Sequence, residues 1–217
     1  MSGAGPHEPY ECRRGAVNDD CPALVRVPWR RFVVLGGSGA KWSQPGGCSG
    51  CGTPGGCPGC RPWADHVADV LRAVRPDLAY LNLGRRDHST AQVRARQLAK
   101  ALAFRGDLAA VVAGGPEALR EPFDVDATEA ELSRIVGPLR ASGADVLALG
   151  PYGPGLPAPV AGEHRSGPRQ RLRLLSERTR ELAVRHGALY VDVTSRTVAS
   201  AVIRRLADHL AATESAA

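Results

Sequence analysis

Short apolar runs of strand length alternate along the chain with segments that carry apolar residues at helical spacing, and this alternation most constrains the fold. The predicted strands are RFVVLG, LAYLNL, LAAVVAG, ADVLALG and ALYVDV, at 31–36, 78–83, 108–114, 144–150 and 188–193. The predicted helices cover about 62–75, 90–104, 124–141, 169–186 and 198–212. Strands that alternate with helices indicate an α/β protein with a five-stranded parallel sheet and helices on both of its faces.

The totals fit one domain preceded by an irregular arm. The chain has 217 residues, of which 43% are apolar and 23% charged, as is ordinary for a soluble globular protein. Residues 1–30 show little periodicity and are predicted to be the arm, whereas 31–217 are predicted to form the domain. Glycine and proline concentrate in two loops, a cysteine-rich insert at 44–61 and a segment at 151–168.

Charge and hydropathy indicate where the protein is located and which partners it is expected to bind. No run approaches the ~20 apolar residues of a membrane span, and the N-terminus has no apolar segment of the secretory type. We therefore expect a cytoplasmic protein with no membrane partner. The net charge is +6, and nearly all of the positively charged residues are arginines. They are dense only at 165–180. We interpret this segment as a basic helix face; a phosphate- or nucleic-acid-binding surface is the alternative, although nucleic acid is not the expected partner.

The strand ends nominate the residues that carry chemistry. In a parallel sheet, ligands bind just beyond the carboxyl ends of the strands. The loops at those ends begin at Ser38, Asp87, Gly115, Pro151 and Thr194. The first of them places a serine on a glycine turn, as expected for an exposed nucleophile.

Three segments at these strand ends resemble the SGNH/GDSL hydrolase family in motif, order and spacing. VVLGGS stands where the family has Gly-Asp-Ser, YLNLGRRDHSTAQV where it has an asparagine-leucine strand, a glycine and a helix start, and VVAGGPE where it has Gly-Gly-Asn-Asp. The resemblance covers about 31–212 and implies a three-layer α/β/α sandwich, a flavodoxin-like fold that hydrolyses esters and acyl groups. It implies Ser38 as the nucleophile, with Gly37, Asp87 and Gly115 at the oxyanion site and pocket rim.

The departures from the family pattern fall on its catalytic residues. A glycine replaces the acidic residue before Ser38, and Asp87 stands at the position of the oxyanion glycine. Pro116, which has no side-chain donor, stands at the position of the oxyanion asparagine. The family's Asp-x-x-His pair is missing from TSRTVAS, 194–200. The sequence therefore indicates a family member that has lost part of its catalytic triad and oxyanion residues. Such a protein is expected to bind a small-molecule or acyl ligand or a protein partner without hydrolysis, or to carry out altered chemistry.

An active enzyme is the second hypothesis, because other residues have the right chemistry. His88 and Glu117 follow the second and third strands on the same edge as Ser38, so the three residues would form a nucleophile, base and acid set in an esterase or acyltransferase. His164 lies in a long loop and has the reach to cross the rim. His209 is interpreted as a helix-edge histidine, and Asp192 as a capping or ion-pairing residue.

A loop with four cysteines follows the serine turn. Cys48, Cys51, Cys57 and Cys60 give the spacing C-x2-C-x5-C-x2-C. Four thiolates satisfy the tetrahedral preference of Zn²⁺ and leave no open position, so a structural zinc is predicted. An iron–sulfur cluster and redox-active thiols or local disulfides are the alternatives, and they define a third hypothesis, a metal- or redox-dependent enzyme. Cys12 and Cys21 remain unassigned.

Overall fold

The structure of the protein is a computed structural model that describes residues 24, 26–37, 62–86, 88–151, 167–193 and 198–215. The elements run along the chain in the order β1 (Arg31–Gly36), α1 (Trp63–Val74), β2 (Ala79–Asn82), α2 (Thr90–Phe104), β3 (Leu108–Val112), α3 (Gly115–Ala118), α4 (Val125–Ala141), β4 (Asp145–Leu149), α5 (Pro168–Arg185), β5 (Leu189–Val191) and α6 (Val198–Ser215). None of the described helices combines the length and the apolar character needed to cross a membrane.

All the strands pair in parallel, in the spatial order β2-β1-β3-β4-β5. The chain therefore leaves β1 for the edge strand β2 and then crosses back over β1 to reach β3. This reversal makes the carboxyl ends of β1 and β3 the topological switch point of the sheet, where open α/β sheets bind their ligands. The turn that precedes Ser38 lies at this point.

The two faces of the sheet carry separate apolar cores because side chains alternate along each strand. Phe32 and Val34 of β1 face the core shared with α1 and α6. Val33 and Leu35 face the core shared with α2, α4 and α5. The predicted α/β/α sandwich with a five-stranded parallel sheet is confirmed.

The predicted element positions agree with the structure within a few residues. The largest differences in the strands are at β3, which ends at Val112 whereas 114 was expected, and at β5, which covers Leu189–Val191 whereas 188–193 was expected. The short helix α3 was not predicted, because four residues are too few to show a helical period. Gly114 precedes it with a positive φ of 90°, a conformation that glycine adopts without strain.

The described residues of the predicted arm form neither helix nor strand, but three of their side chains belong to the core. Leu24, Val27 and Trp29 are at most 7% exposed. The Trp29 indole Nε1 donates to Asp145 Oδ2 at 2.9 Å, and Arg75 Nε donates to the carbonyl of Val27 at 2.9 Å. This segment therefore packs against the amino edge of the sheet.

Replacing Trp29 measures this contribution. Trp29→Ala is expected to lower the free energy of unfolding by about 3–5 kcal/mol, because it leaves a cavity in the core. Trp29→Phe keeps most of the ring and loses the bond to Asp145, so a loss of about 1–2 kcal/mol is expected. Val184→Ala, at a side chain 76% exposed, is the control and should change stability by less than about 0.5 kcal/mol in urea unfolding. Equal effects of Trp29→Ala and the control would show that the segment does not stabilise the core.

Candidate functional site

The turn before Ser38 is enclosed by the loops that follow β2 and β3. Gly37 N–H donates to the carbonyl of Val112 at 3.1 Å. A Cβ added to Gly37 would lie 2.7 Å from the backbone oxygen of His88 and 3.9 Å from Pro116 Cγ, so only glycine fits without a shift. The structure thus brings Gly37, His88 and Pro116 together. Ser38 and Asp87 lie outside the described residues.

A buried glutamine that the sequence analysis did not single out connects these loops. Gln97 of α2 is 3% exposed. Its Oε1 accepts from Gly36 N–H at 2.9 Å, and its Nε2 donates to the Gly36 carbonyl at 3.0 Å. The same Nε2 lies 3.1 Å from His88 Nδ1. The available signal was a polar residue on the buried stripe of α2, four residues after Val93 and four before Ala101.

These contacts assign the tautomer of His88. Gln97 Oε1 must face Gly36 N–H, because the reversed amide would place the Gln97 NH2 group against the Gly36 N–H and the amide oxygen against the Gly36 carbonyl. The Gln97 amide therefore donates to His88 Nδ1, which acts as an acceptor. In the neutral ring the proton then resides on Nε2. A base that takes the proton of a serine through Nε2 needs a lone pair there, and this arrangement does not provide one.

Glu117 lies on the same edge as His88 but is bound to another group. Glu117 Oε1 accepts a short hydrogen bond from the backbone N–H of Thr90, the first residue of α2. Glu117 Oε2 and Thr90 Oγ1 are buried and have no hydrogen-bond partner among the described residues. Within that part of the chain no hydrogen bond joins Glu117 to His88. The predicted set Ser38–His88–Glu117 therefore has two members on one edge, without a contact that orients His88 as a base.

The remaining candidate residues lie elsewhere. His209 Nε2 is 3.6 Å from Asp145 Oδ2, at the start of β4 and thus at the amino edge, opposite the serine turn. Asp192, just after β5, is 4.0 Å from Arg180, as expected for an ion-pairing residue. Gly115 begins α3 at the rim. His164 lies outside the described residues.

The arginine-rich helix α5 faces acidic residues of α4 and of the loop before it. Arg178 lies 3.1 Å from Asp126 and 3.4 Å from Glu129, and Arg185 also contacts Glu129. Arg171 is 2.7 Å from Glu121. These pairs neutralise part of the basic face.

An apolar groove opens on the carboxyl side of the sheet, between the α3–α4 loop and the start of α5. Its volume is about 640 Å³, and it is lined by Glu121, Pro122, Phe123, Gln170, Arg171 and Leu174. Arg171, which lines the groove, donates from Nε to the carbonyl of Ala118, the last residue of α3, at 2.7 Å. The groove therefore lies next to α3, which carries Pro116 and Glu117.

The four cysteines of the predicted metal site, together with Cys12 and Cys21, lie outside the described residues. Within the residues that the structure does describe, no group of three His, Cys, Asp or Glu side chains is arranged to hold a metal ion.

A second polar network joins β2 to α1. The Tyr80 hydroxyl donates to Asp65 Oδ1 at 2.8 Å and accepts from Asn82 Nδ2 at 3.2 Å. Asn82 Oδ1 in turn accepts from Gly84 N–H at 3.0 Å. Burial, together with the neighbouring Asp65 carboxylate, raises the pKa of Tyr80 well above its usual range. The phenol is therefore a fixed donor that holds the start of the β2–α2 loop.

Comparison with known proteins agrees with this architecture. A model of the GDSL-like lipase/acylhydrolase family matches residues 48–213, a range that begins after β1 and Ser38. The chain belongs to this family. No curated protein sequence matches the chain.

Solved structures share the fold. An α/β hydrolase enzyme from the metagenome of Lake Arreo, Spain, is 21% identical with a TM-score of 0.58, over 83% of this chain and 81% of that one. A catalytic mutant of an acetylxylan esterase from Geobacillus stearothermophilus is 16% identical with a TM-score of 0.56, over 82% and 92%. A lipase/acylhydrolase from Enterococcus faecalis is 18% identical with a TM-score of 0.55, over 76% of both chains. At these identities the likeness concerns the fold alone.

The Tyr80 network predicts a loss of stability at alkaline pH. A phenol whose pKa is higher in the folded state than in the unfolded state, where it is about 10, contributes stability below pH 10 that is lost as the pH rises further. Between pH 9 and 11 the free energy of unfolding should fall by about 1 kcal/mol through this group. Tyr80→Phe should remove that part of the decrease in urea unfolding, whereas Tyr190→Phe should keep it. Parallel pH profiles for the wild type and Tyr80→Phe would contradict the assignment.

Proposed function

We propose that this GDSL-family protein binds an ester or acyl ligand at the carboxyl edge of its sheet and does not hydrolyse it efficiently. One observation carries the proposal: Gln97 Nε2, which can only donate, lies 3.1 Å from His88 Nδ1. Of the described histidines, His88 lies nearest along this rim to the serine turn, and its neutral ring is left with a donor at Nε2 where a catalytic base needs an acceptor.

Two further features support weak hydrolysis. Pro116 stands where the family carries an asparagine, so this position offers no side-chain donor to a developing oxyanion. His209 lies at the amino edge of the sheet beside Asp145, so it does not supply a base at the carboxyl edge. Losing base and oxyanion donor together removes most of the rate enhancement of a serine hydrolase.

The ligand class follows from the family and from the groove. The compared proteins are named as an esterase and a lipase/acylhydrolase, and both names refer to acyl esters. The apolar side chains of Pro122, Phe123 and Leu174 suit an alkyl or acyl group, and the groove adjoins the rim. We therefore propose that the carbonyl group lies at the Ser38 turn and the acyl chain extends toward the groove.

An active esterase or acyltransferase is the second candidate. It is favoured by the contact of His88 with the Gly37 turn and by the position of Glu117 on the same edge. In that mechanism Ser38 would attack the ester carbonyl, and His88 would have to release the Gln97 bond to accept the serine proton. A base supplied by another molecule would serve the same purpose.

Ester turnover separates the two candidates. Purified protein is expected to release p-nitrophenol from p-nitrophenyl acetate and butyrate at pH 7–9 no faster than Ser38→Ala does, and to show no Ser38 labelling by a fluorophosphonate. Circular dichroism should establish that both proteins are folded. Turnover that is lost in Ser38→Ala and in His88→Leu would replace the proposal by the active-enzyme candidate.

We also propose that Cys48, Cys51, Cys57 and Cys60 bind one structural Zn²⁺. Their two C-x2-C pairs provide four thiolates, the donor set of closed structural zinc sites, and the glycines between them permit tight turns. In sequence these cysteines lie between Gly37, at the end of β1, and Pro62, just before α1. Reduced thiols of this kind fit a cytoplasmic location, which we propose on that ground.

Metal content tests the zinc site. The wild type is expected to hold about one zinc per chain and no colour, whereas Cys48→Ser and Cys57→Ser should each lower zinc severalfold. Cys12→Ser is the matched control and should keep the metal. A brown protein with iron and sulfide would support the iron–sulfur alternative, and a metal-free protein with oxidised cysteines would support redox-active thiols or disulfides.

A further inference from the structure

We infer that His88 is a hydrogen-bond donor to the carbonyl oxygen of the ligand, through Nε2–H, and that Gln97 is the positioning residue that sets this role. The inference rests on the proposed function in one respect, namely that the ligand binds at the rim beside Gly37. The assignment of the tautomer does not depend on it.

The role of Gln97 follows from the three groups that its amide serves. Gly36 supplies both an N–H and a carbonyl to it, at 2.9 and 3.0 Å, and this pair fixes which end of the amide is the donor. The remaining N–H of Nε2 then has His88 Nδ1 as its acceptor at 3.1 Å. If the proton of His88 were on Nδ1, this N–H would face the N–H of Gln97 Nε2. Both donors would then lack an acceptor, and a buried unpaired donor is costly.

The position of the ring makes the second nitrogen available. Nδ1 faces α2, so Nε2, on the opposite part of the imidazole, faces away from Gln97. Within the described residues Nε2 has no hydrogen-bond partner, and the His88 side chain is half-buried. The backbone of His88 adjoins Gly37, the residue before Ser38.

The chemistry at this edge suits a carbonyl oxygen. Pro116 offers no side-chain donor, whereas a neutral imidazole with Nε2–H supplies one on this edge. The carboxylate of Glu117 lies on the same edge, which favours a neutral ester carbonyl over a carboxylate ligand. A donor without a matching base binds an ester and leaves its acyl bond intact.

The tautomer is measured directly in the wild-type protein. Long-range ¹H–¹⁵N correlation NMR of the imidazoles at pH 8 identifies His88 by the signals that disappear in His88→Gln. The expected pattern for His88 is a protonated Nε2 and an unprotonated Nδ1. A proton on Nδ1 would overturn the inference, and this arm requires no variant that disturbs the core.

Gln97→Glu tests the positioning role. A carboxylate accepts and does not donate, so this change is expected to move the His88 proton to Nδ1 or to leave the ring doubly protonated. Gln92→Glu is the matched control on the same helix, because a carboxylate can still accept from Ser89 N–H in the capping box, and the His88 signals should stay unchanged. An unchanged tautomer in a folded Gln97→Glu protein would show that Gln97 does not set it.

A pair of probes tests the ligand. In Ser38→Ala, which cannot form an acyl-enzyme, p-nitrophenyl butyrate should shift the His88 Nε2–H resonance, whereas 1-butoxy-4-nitrobenzene, which lacks the carbonyl, should not. Equal shifts, or none, would overturn the donor role. Failure of the proposed function is seen separately, as Ser38-dependent release of p-nitrophenol by the wild type; the Nε2–H tautomer would then still hold.

Discussion

The hydrogen bonds between the Gln97 amide and the backbone of Gly36 are the contact on which the functional edge depends. β2 pairs with β1 only as far as Asn82, opposite Val34, whereas Gly36, the last residue of β1, pairs with Val112 of β3. A buried backbone N–H needs an acceptor, and Gln97 Oε1 provides it. The side chain thus adds two hydrogen bonds to the end of β1 and holds the turn at the switch point of the sheet.

The same amide couples backbone geometry to chemistry. Its remaining N–H reaches His88, so the contact that fixes the serine turn also fixes the protonation pattern of the histidine beside it. The fold brings His88 to the carboxyl edge of the sheet, but the group behind its ring is the Gln97 amide and not the acidic group that orients a catalytic base. His88 and Glu117 share this edge without a hydrogen bond between them, and Ser38 lies outside the described residues, so the set of Ser38, His88 and Glu117 stays a prediction.

The sequence predicts the fold well because apolar periodicity is a local property. The strands, the main helices and their order follow from it, and the glycine turn could be placed at the carboxyl end of β1. Other features depend on contacts distant in sequence. Gln97 meets Gly36 across 61 positions, and Trp29 meets Asp145 across 116. The assignment of the His88 tautomer depends on the first of these contacts, because Gly36 sets which end of the Gln97 amide faces the ring, and a local pattern did not reveal it.

The amino edge of the sheet shows how such a fold withstands change at the opposite edge. Asp107 accepts from the N–H groups of Arg30 and Arg31 at 2.8 Å, and Asp145 accepts from Trp29. These carboxylates bind the segment before β1 to the starts of the neighbouring strands. Strand alignment is therefore secured far from the ligand side. None of these attachments involves a residue of the rim, so strand alignment and the chemistry of the rim rest on separate contacts.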